Sequence, residues 1–191
     1  MPWCAEGALD CGSPLPLSRL VAALPASRIA VVRQFPQVAP MDIRELYQEV
    51  ILDHSRRPRN RGECPDATAH AQAENPSCGD EIAVHVKIGP DNKVEALTFT
   101  GQGCALSQAS ASLMTLKVRG LPVPEAAEAV RRVHRLMTGG DLSESEREQL
   151  GDIEVLEGAA KYPQRVKCVT LAWHALDQIL KGNAGAHLVE S

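Results

Sequence analysis

Asp80-Glu81-Ile82-Ala83-Val84-His85-Val86-Lys87-Ile88-Gly89-Pro90-Asp91-Asn92-Lys93-Val94-Glu95-Ala96-Leu97-Thr98-Phe99 is the stretch that decides the fold. Ile82, Val84, Val86 and Ile88 repeat every second residue, so an extended chain presents them on one face. Val94 to Phe99 is strand-like in the same way. Gly89-Pro90-Asp91-Asn92 lies between them and is built of turn formers, which makes the two runs an antiparallel β-hairpin. Upstream, Ala67 to Ala73 supplies a possible third antiparallel strand.

Outside the hairpin the pattern changes to helical. Ile43, Leu46, Tyr47, Val50 and Ile51 share one face of a helix that begins near Met41. Ala105 to Val118 is a helix of small and apolar residues ended by Gly120. Pro124 to Met137 is amphipathic through Ala127, Val130, Val133 and Leu136, with Pro124 in its first turn and Gly139-Gly140 closing it. Ser143 to Leu150 is a short charged helix, and Val169 to Leu180 carries Leu171, Trp173, Leu176, Ile179 and Leu180. The expected fold is therefore α+β, a small three-stranded antiparallel sheet packed against several helices.

With 191 residues, 44% of them hydrophobic, the chain has material for one domain and one core. The domain is expected over residues 41–182 and residues 183–191 are expected as a flexible tail. Residues 1–40, rich in Pro, Ala and Ser, are expected as a disordered leader or an over-long start. Lys and Arg number 20 against 24 Asp and Glu, a net charge of -4 that is too mild and too mixed to point to nucleic acid or an anionic membrane as partner. No apolar run reaches the roughly 20 residues that a bilayer demands. Leu20 to Ser27 loosely imitates a signal-peptide core, but only Arg19 precedes it and the run is short. Six cysteines in a chain larger than the small disulfide scaffolds fit a reducing, cytoplasmic compartment.

Cys78, Asp80, Cys104 and Cys168 stand beside bends or at element boundaries, outside the apolar periodicity. Cys78-Gly79-Asp80 follows Pro76 in a turn before the first hairpin strand, Gly101-Gln102-Gly103-Cys104 joins the second strand to a helix, and Cys168 is expected to start the last helix. All could meet at one end of the sheet. Three sulfurs and one carboxylate oxygen make a tetrahedral zinc shell, and a thiolate is also the nucleophile of sulfur transfer. Helix N-termini would favour the thiolates of Cys104 and Cys168, as would the cations Arg165 and Lys167. The spacing alone leaves a second reading open, in which these are separate buried cysteines, because no short zinc-finger spacing is present. Cys64, beside Pro65, has no evident partner. Ser55 to Gly62 is expected as an exposed basic loop, and His54 as a cation that steadies the end of the first helix.

Three motifs in order, Asn75-Pro76-Ser77-Cys78-Gly79-Asp80, Gly101-Gln102-Gly103-Cys104-Ala105-Leu106-Ser107-Gln108-Ala109-Ser110-Ala111-Ser112 and Arg165-Val166-Lys167-Cys168, resemble those of the IscU/NifU-like family of iron–sulfur cluster assembly proteins, and specifically its SufU-type branch. The resemblance runs from Met41 to about Gly182. It implies a metal site of Cys78, Asp80, Cys104 and Cys168, with Zn2+ as the metal. It also implies that Cys78 is the catalytic thiol, accepting persulfide sulfur from a SufS-type cysteine desulfurase, and that downstream SUF assembly proteins take part. In the family picture a histidine of the desulfurase displaces Cys78 from zinc and frees its thiolate. The chain would then be a zinc-dependent sulfurtransferase.

Two features set the chain apart from the IscU branch. Where those proteins have a histidine before the last cysteine, Lys167 stands here. Their chaperone-recognised segment is replaced by Tyr162-Pro163-Gln164-Arg165-Val166-Lys167. The SufU-type resemblance also implies an extra helical segment around residues 138–158. Two other readings remain: a scaffold on which an iron–sulfur cluster is built on the same ligands, and a small zinc-stabilised domain without sulfur chemistry.

Overall fold

The hairpin read from the sequence forms half of the sheet. A computed structural model of the protein describes residues 43–183 and 185–189, with side chains described from Gln48 onward. The leader expected over residues 1–40 lies outside the described residues. Strands β1 (Ala69–Asn75), β2 (Asp80–Ile88) and β3 (Val94–Gln102) pair antiparallel, and the order across the sheet is β3-β2-β1-β4. Val84 lies between Ala71 of β1 and Phe99 of β3, and Val86 between Ala69 and Leu97. Val84, Ala71, Phe99, Val86 and Leu97 are all buried, so the alternation read in the sequence is the core face of the sheet. Each large apolar side chain fully buried there contributes about 1.5–3 kcal/mol.

The expected sheet of three antiparallel strands needs correction. A fourth strand, β4 (His187–Val189), pairs parallel with β1 through Ala73 and Leu188, so the sheet is mixed. It comes from the stretch assigned to the tail. Three residues are too few to show an alternating pattern, and only the free edge of β1 reveals their role.

Helices cover the apolar face. They are α1 (Ile43–Arg56), α2 (Ala105–Val118), α3 (Val123–Thr138), α4 (Glu144–Leu150) and α5 (Pro163–Leu180), with a 3-10 helix over Gly151–Ala159 between the last two. α5 lies against β1 and β2, α2 against β3, and α1 and α5 both pack on α2. Local chemistry fixes their ends. Gly139 closes α3 at φ 74°, a left-handed conformation that suits glycine, and Ser143 and Glu146 cap the start of α4 reciprocally. Among the described residues no helix is long and apolar enough to cross a membrane.

Two buried polar contacts set the position of the helices that carry cysteines. The Trp173 indole N–H donates to Ser110 Oγ at 3.0 Å, and the Ser110 hydroxyl donates to the Val169 carbonyl at 2.6 Å, tying α2 to α5. The basic loop expected to be exposed is fastened down in part. The Arg59 N–H donates to Ser112 Oγ at 2.8 Å, Asn60 Nδ2 to Thr115 Oγ1 at 3.0 Å, and the Arg61 guanidinium to the Gly101 carbonyl at 2.7 Å. His54 is also corrected. It is only 6% exposed, its Nδ1 lies 2.8 Å from Ser112 Oγ, and burial, aided by Arg59, holds its pKa below the usual histidine range. A protonated capping role does not suit that environment.

Candidate metal centre

The first two donors come from the connection between β1 and β2. Asn75 and Asp80 are the last pair of that ladder, and the residues between them form a tight turn in which the N–H groups of Cys78 and Gly79 donate to the Asn75 carbonyl at 3.2 and 3.0 Å. Gly79 has φ 68°, which a side chain would strain, and this reversal presents Cys78 at the exposed tip. Two residues on, Asp80 takes the inward parity of β2 and is 1% exposed.

Cys104 immediately precedes α2, which begins where the sequence predicts. Its N–H donates to Asp80 Oδ1 at 2.7 Å, its thiol lies 3.8 Å from Asp80 Oδ2, and its sulfur caps the helix by accepting from the Ser107 N–H at 3.5 Å. That approach explains Gly103. A Cβ at this position would stand 2.7 Å from Asp80 Oδ1, closer than packed atoms tolerate.

Cys168 differs from expectation. α5 begins at Pro163, with proline at the helix start where its missing N–H is harmless, so Cys168 lies in the second turn and is 2% exposed. It gains nothing from a helix N-terminus. Burial pushes the thiol pKa well up, and contacts with Asp80 and Cys78 and the charge of Cys104 push the same way, whereas Arg165 and Lys167 do not offset them. The Cys168 thiol is 3.6 Å from the Gln164 carbonyl, and Asn75 Nδ2 donates to its sulfur at 3.4 Å. Asn75 is 0% exposed, and its Oδ1 has no partner among the described residues.

The structure brings one donor atom each from Cys78, Asp80 and Cys168 within 4.8 Å of one another. Cys104 stands beside this trio, linked to it through Asp80, and is absent from the group so defined. In a tetrahedral zinc shell sulfurs stand about 3.8 Å apart, given Zn–S bonds of about 2.3 Å, so the trio fits a zinc ion with small side-chain adjustments. The donor chemistry fits as well, and the Asn75 amide N–H suits a thiolate acceptor better than a thiol. A pocket of about 530 Å3, lined by Ile51, Leu52, Cys78, Cys104, Arg165 and Cys168 among others, opens onto these sulfurs. Cys64, half-buried, lies outside the group.

Sequence reasoning gave no role to Asn75 or Gln164. Asn75 was visible only as the first residue of a motif, because its contact with Cys168 spans β1 to α5. The signal that could have singled it out is an asparagine at a strand end on the buried parity, where an amide must find a partner.

Residues 46–169 match the family profile of the NifU-like N terminal domain. The iron–sulfur cluster assembly scaffold protein IscU of Streptococcus pyogenes serotype M1 is 42% identical over 149 residues, covering 78% of this chain and 91% of that protein. The zinc-dependent sulfurtransferase SufU of Bacillus subtilis (strain 168) is 41% identical over 133 residues, covering 70% of this chain and 88% of that protein. A solved structure of a SUF-system iron–sulfur cluster assembly scaffold protein, FiSufU from Fervidobacterium islandicum AW-1, superposes with a TM-score of 0.65 at 33% identity, covering 72% of this chain and 98% of that one.

Proposed function

The chain belongs to the NifU-like N-terminal domain family of iron–sulfur cluster assembly proteins, and from that premise we propose that it is a zinc-dependent acceptor of sulfur from a SufS-type cysteine desulfurase. The observation that carries this reading is an asymmetry in the donor set: Asp80 and Cys168 are buried, whereas Cys78, within 4.8 Å of both, is exposed. A shell meant only to stabilise the fold gains nothing from one accessible sulfur. An acceptor requires it. The Bacillus relative bears the matching name; the working domain would start at residue 41 and take in β4, in a reducing cytoplasm that would keep the sulfurs from pairing as disulfides.

Asp80, Cys104 and Cys168 would hold zinc together with Cys78, and the bound ion would supply the positive charge that keeps these sulfurs as thiolates. Cys78, at the tip of its turn, reaches the partner. Its thiolate attacks the outer sulfur of the desulfurase's cysteine persulfide. A bond forms between Cys78 Sγ and that sulfur, the S–S bond in the enzyme breaks, and the enzyme's cysteine leaves as thiolate with the electron pair. The exchange needs no oxidant or reductant. Asp80 and the N–H of Cys104 keep the start of α2 fixed while Cys78 moves.

The test is elemental analysis and an absorption spectrum of untagged, anaerobically purified protein, followed by sulfur transfer from the desulfurase to the native chain and to Cys78→Ser. About one colourless zinc per chain and sulfur carried only with Cys78 intact is the expected result. Iron with labile sulfide and visible absorption would replace this reading with a cluster scaffold on the same ligands. An unfolded Cys78→Ser variant would favour a structural zinc site.

A further inference from the structure

Arg165 shares a pocket with all three sulfurs of the site, and among the described residues that line it Arg165 is the one cation. It occupies the first turn of α5, where its guanidinium carbon lies 4.7 Å from the centre of the Tyr162 ring. That stacking restrains a side chain that is otherwise mobile in solvent. No ion pair joins Arg165 to a carboxylate among the described residues, in contrast to Arg59, Arg131, Arg135 and Arg147, each of which has at least one. The pocket therefore presents to a cluster of sulfurs a restrained guanidinium that has no carboxylate partner among the described residues.

We infer that Arg165 forms an anion subsite that holds the terminal sulfur of a persulfide on Cys78. This rests on the sulfur-acceptor reading above. A shell of three thiolates and a carboxylate carries more negative charge than a divalent ion cancels, so the pocket lacks positive charge before any sulfur arrives. Transfer adds a terminal sulfur that is itself anionic when ionised. The guanidinium offers that sulfur several N–H donors in a fixed plane, which a lysine ammonium does not reproduce in geometry but does in charge. Held in this way the sulfur stays ionised, and a thiolate, itself an anion, attacks an already negative sulfur less readily. The subsite thus prolongs the carried sulfur's lifetime against adventitious thiols.

The experiment loads the zinc-bound full chain with inorganic polysulfide, which avoids the partner's docking surface. The Cys78 thiolate takes one sulfur, and the donor leaves one sulfur shorter with the electron pair, so the exchange balances. Excess donor is removed, and loss of the extra sulfur to dithiothreitol is followed by intact mass. Arg165→Gln is expected to lose it about three- to fivefold faster, the range open to a solvent-exposed charge contact, with Arg165→Lys in between. Zinc content and melting temperature should match the unsubstituted chain. Equal lifetimes, or zinc loss from Arg165→Gln, would overturn the subsite alone and leave the acceptor reading standing. Where zinc masks Cys78 from polysulfide, the chain is loaded from the desulfurase with cysteine instead, and failure of that transfer to Cys78 of the unsubstituted chain would overturn the acceptor reading and this inference with it.

Discussion

The backbone N–H of Cys104 donates to Asp80 Oδ1 at 2.7 Å, while Oδ2 of the same carboxylate lies 3.8 Å from the Cys104 sulfur. One carboxylate thus joins the first residue of β2 to the residue that starts α2, and a single side chain serves both the fold and the site. The two roles can be separated. Asp80→Ala removes both oxygens and should lower zinc affinity by at least about 100-fold, with a loss of stability of about 1–3 kcal/mol from the orphaned N–H. Asp80→Asn keeps an acceptor for that N–H, so it should recover most of the stability and little of the affinity. Chelator competition and thermal melts read the two quantities, and an Asp80→Ala chain that holds zinc normally would remove Asp80 from the ligand set.

Gly103 has no room for a methyl group, since a Cβ there would meet Asp80 Oδ1 at 2.7 Å and Ser107 Oγ at 3.0 Å. Gly103→Ala must push the carboxylate away or shift the start of α2. The expected loss is about 1–3 kcal/mol, visible as a lower melting temperature, together with weaker zinc retention. A variant with unchanged melting and unchanged zinc affinity would show that the turn relaxes freely.

Asn75 donates to the Cys168 sulfur at 3.4 Å from a fully buried position. Removing that donor takes a hydrogen bond from a sulfur proposed to bind metal, so Asn75→Ala should weaken zinc binding by about 10- to 100-fold. In a cobalt-substituted protein the sulfur-to-metal charge-transfer band should also move, because that band reports the electron density on the thiolate. An unmoved band with unchanged affinity would reduce Asn75 to packing.

His54 supplies a pH dependence. Burial, first, and then Arg59 hold its folded pKa below the unfolded value of about 6.5, so the unfolded chain binds the extra proton more readily. Its contribution to stability is therefore complete above about pH 6.5 and is lost as pH falls from there through the folded pKa. Thermal melts of the native chain should drop on acidification through that window, and His54→Gln should flatten this part of the profile. A variant with the same acid slope would place the effect elsewhere.

What the sequence determined alone is what depends on near neighbours. The alternation from Ile82 to Phe99 with Gly89-Pro90-Asp91-Asn92 between its halves dictates a hairpin, because a strand's faces alternate with period two and turn residues have local preferences. The span of α2 from Ala105 to Val118 was legible for the same reason. The candidate residues Cys78, Asp80, Cys104 and Cys168 were legible as chemistry without a periodic role. Tertiary structure decided the rest. β4 exists only because β1 has a free edge to pair with Leu188, and a three-residue strand has no pattern of its own. Cys168 left the expected helix start because Pro163 begins α5 earlier, and its burial, with the rise in its pKa, follows from packing against β1 and β2. The donation from Asn75 to Cys168 depends on where β1 meets α5, and burial and hydrogen-bond geometry between distant segments are properties of the packed chain that local sequence does not encode.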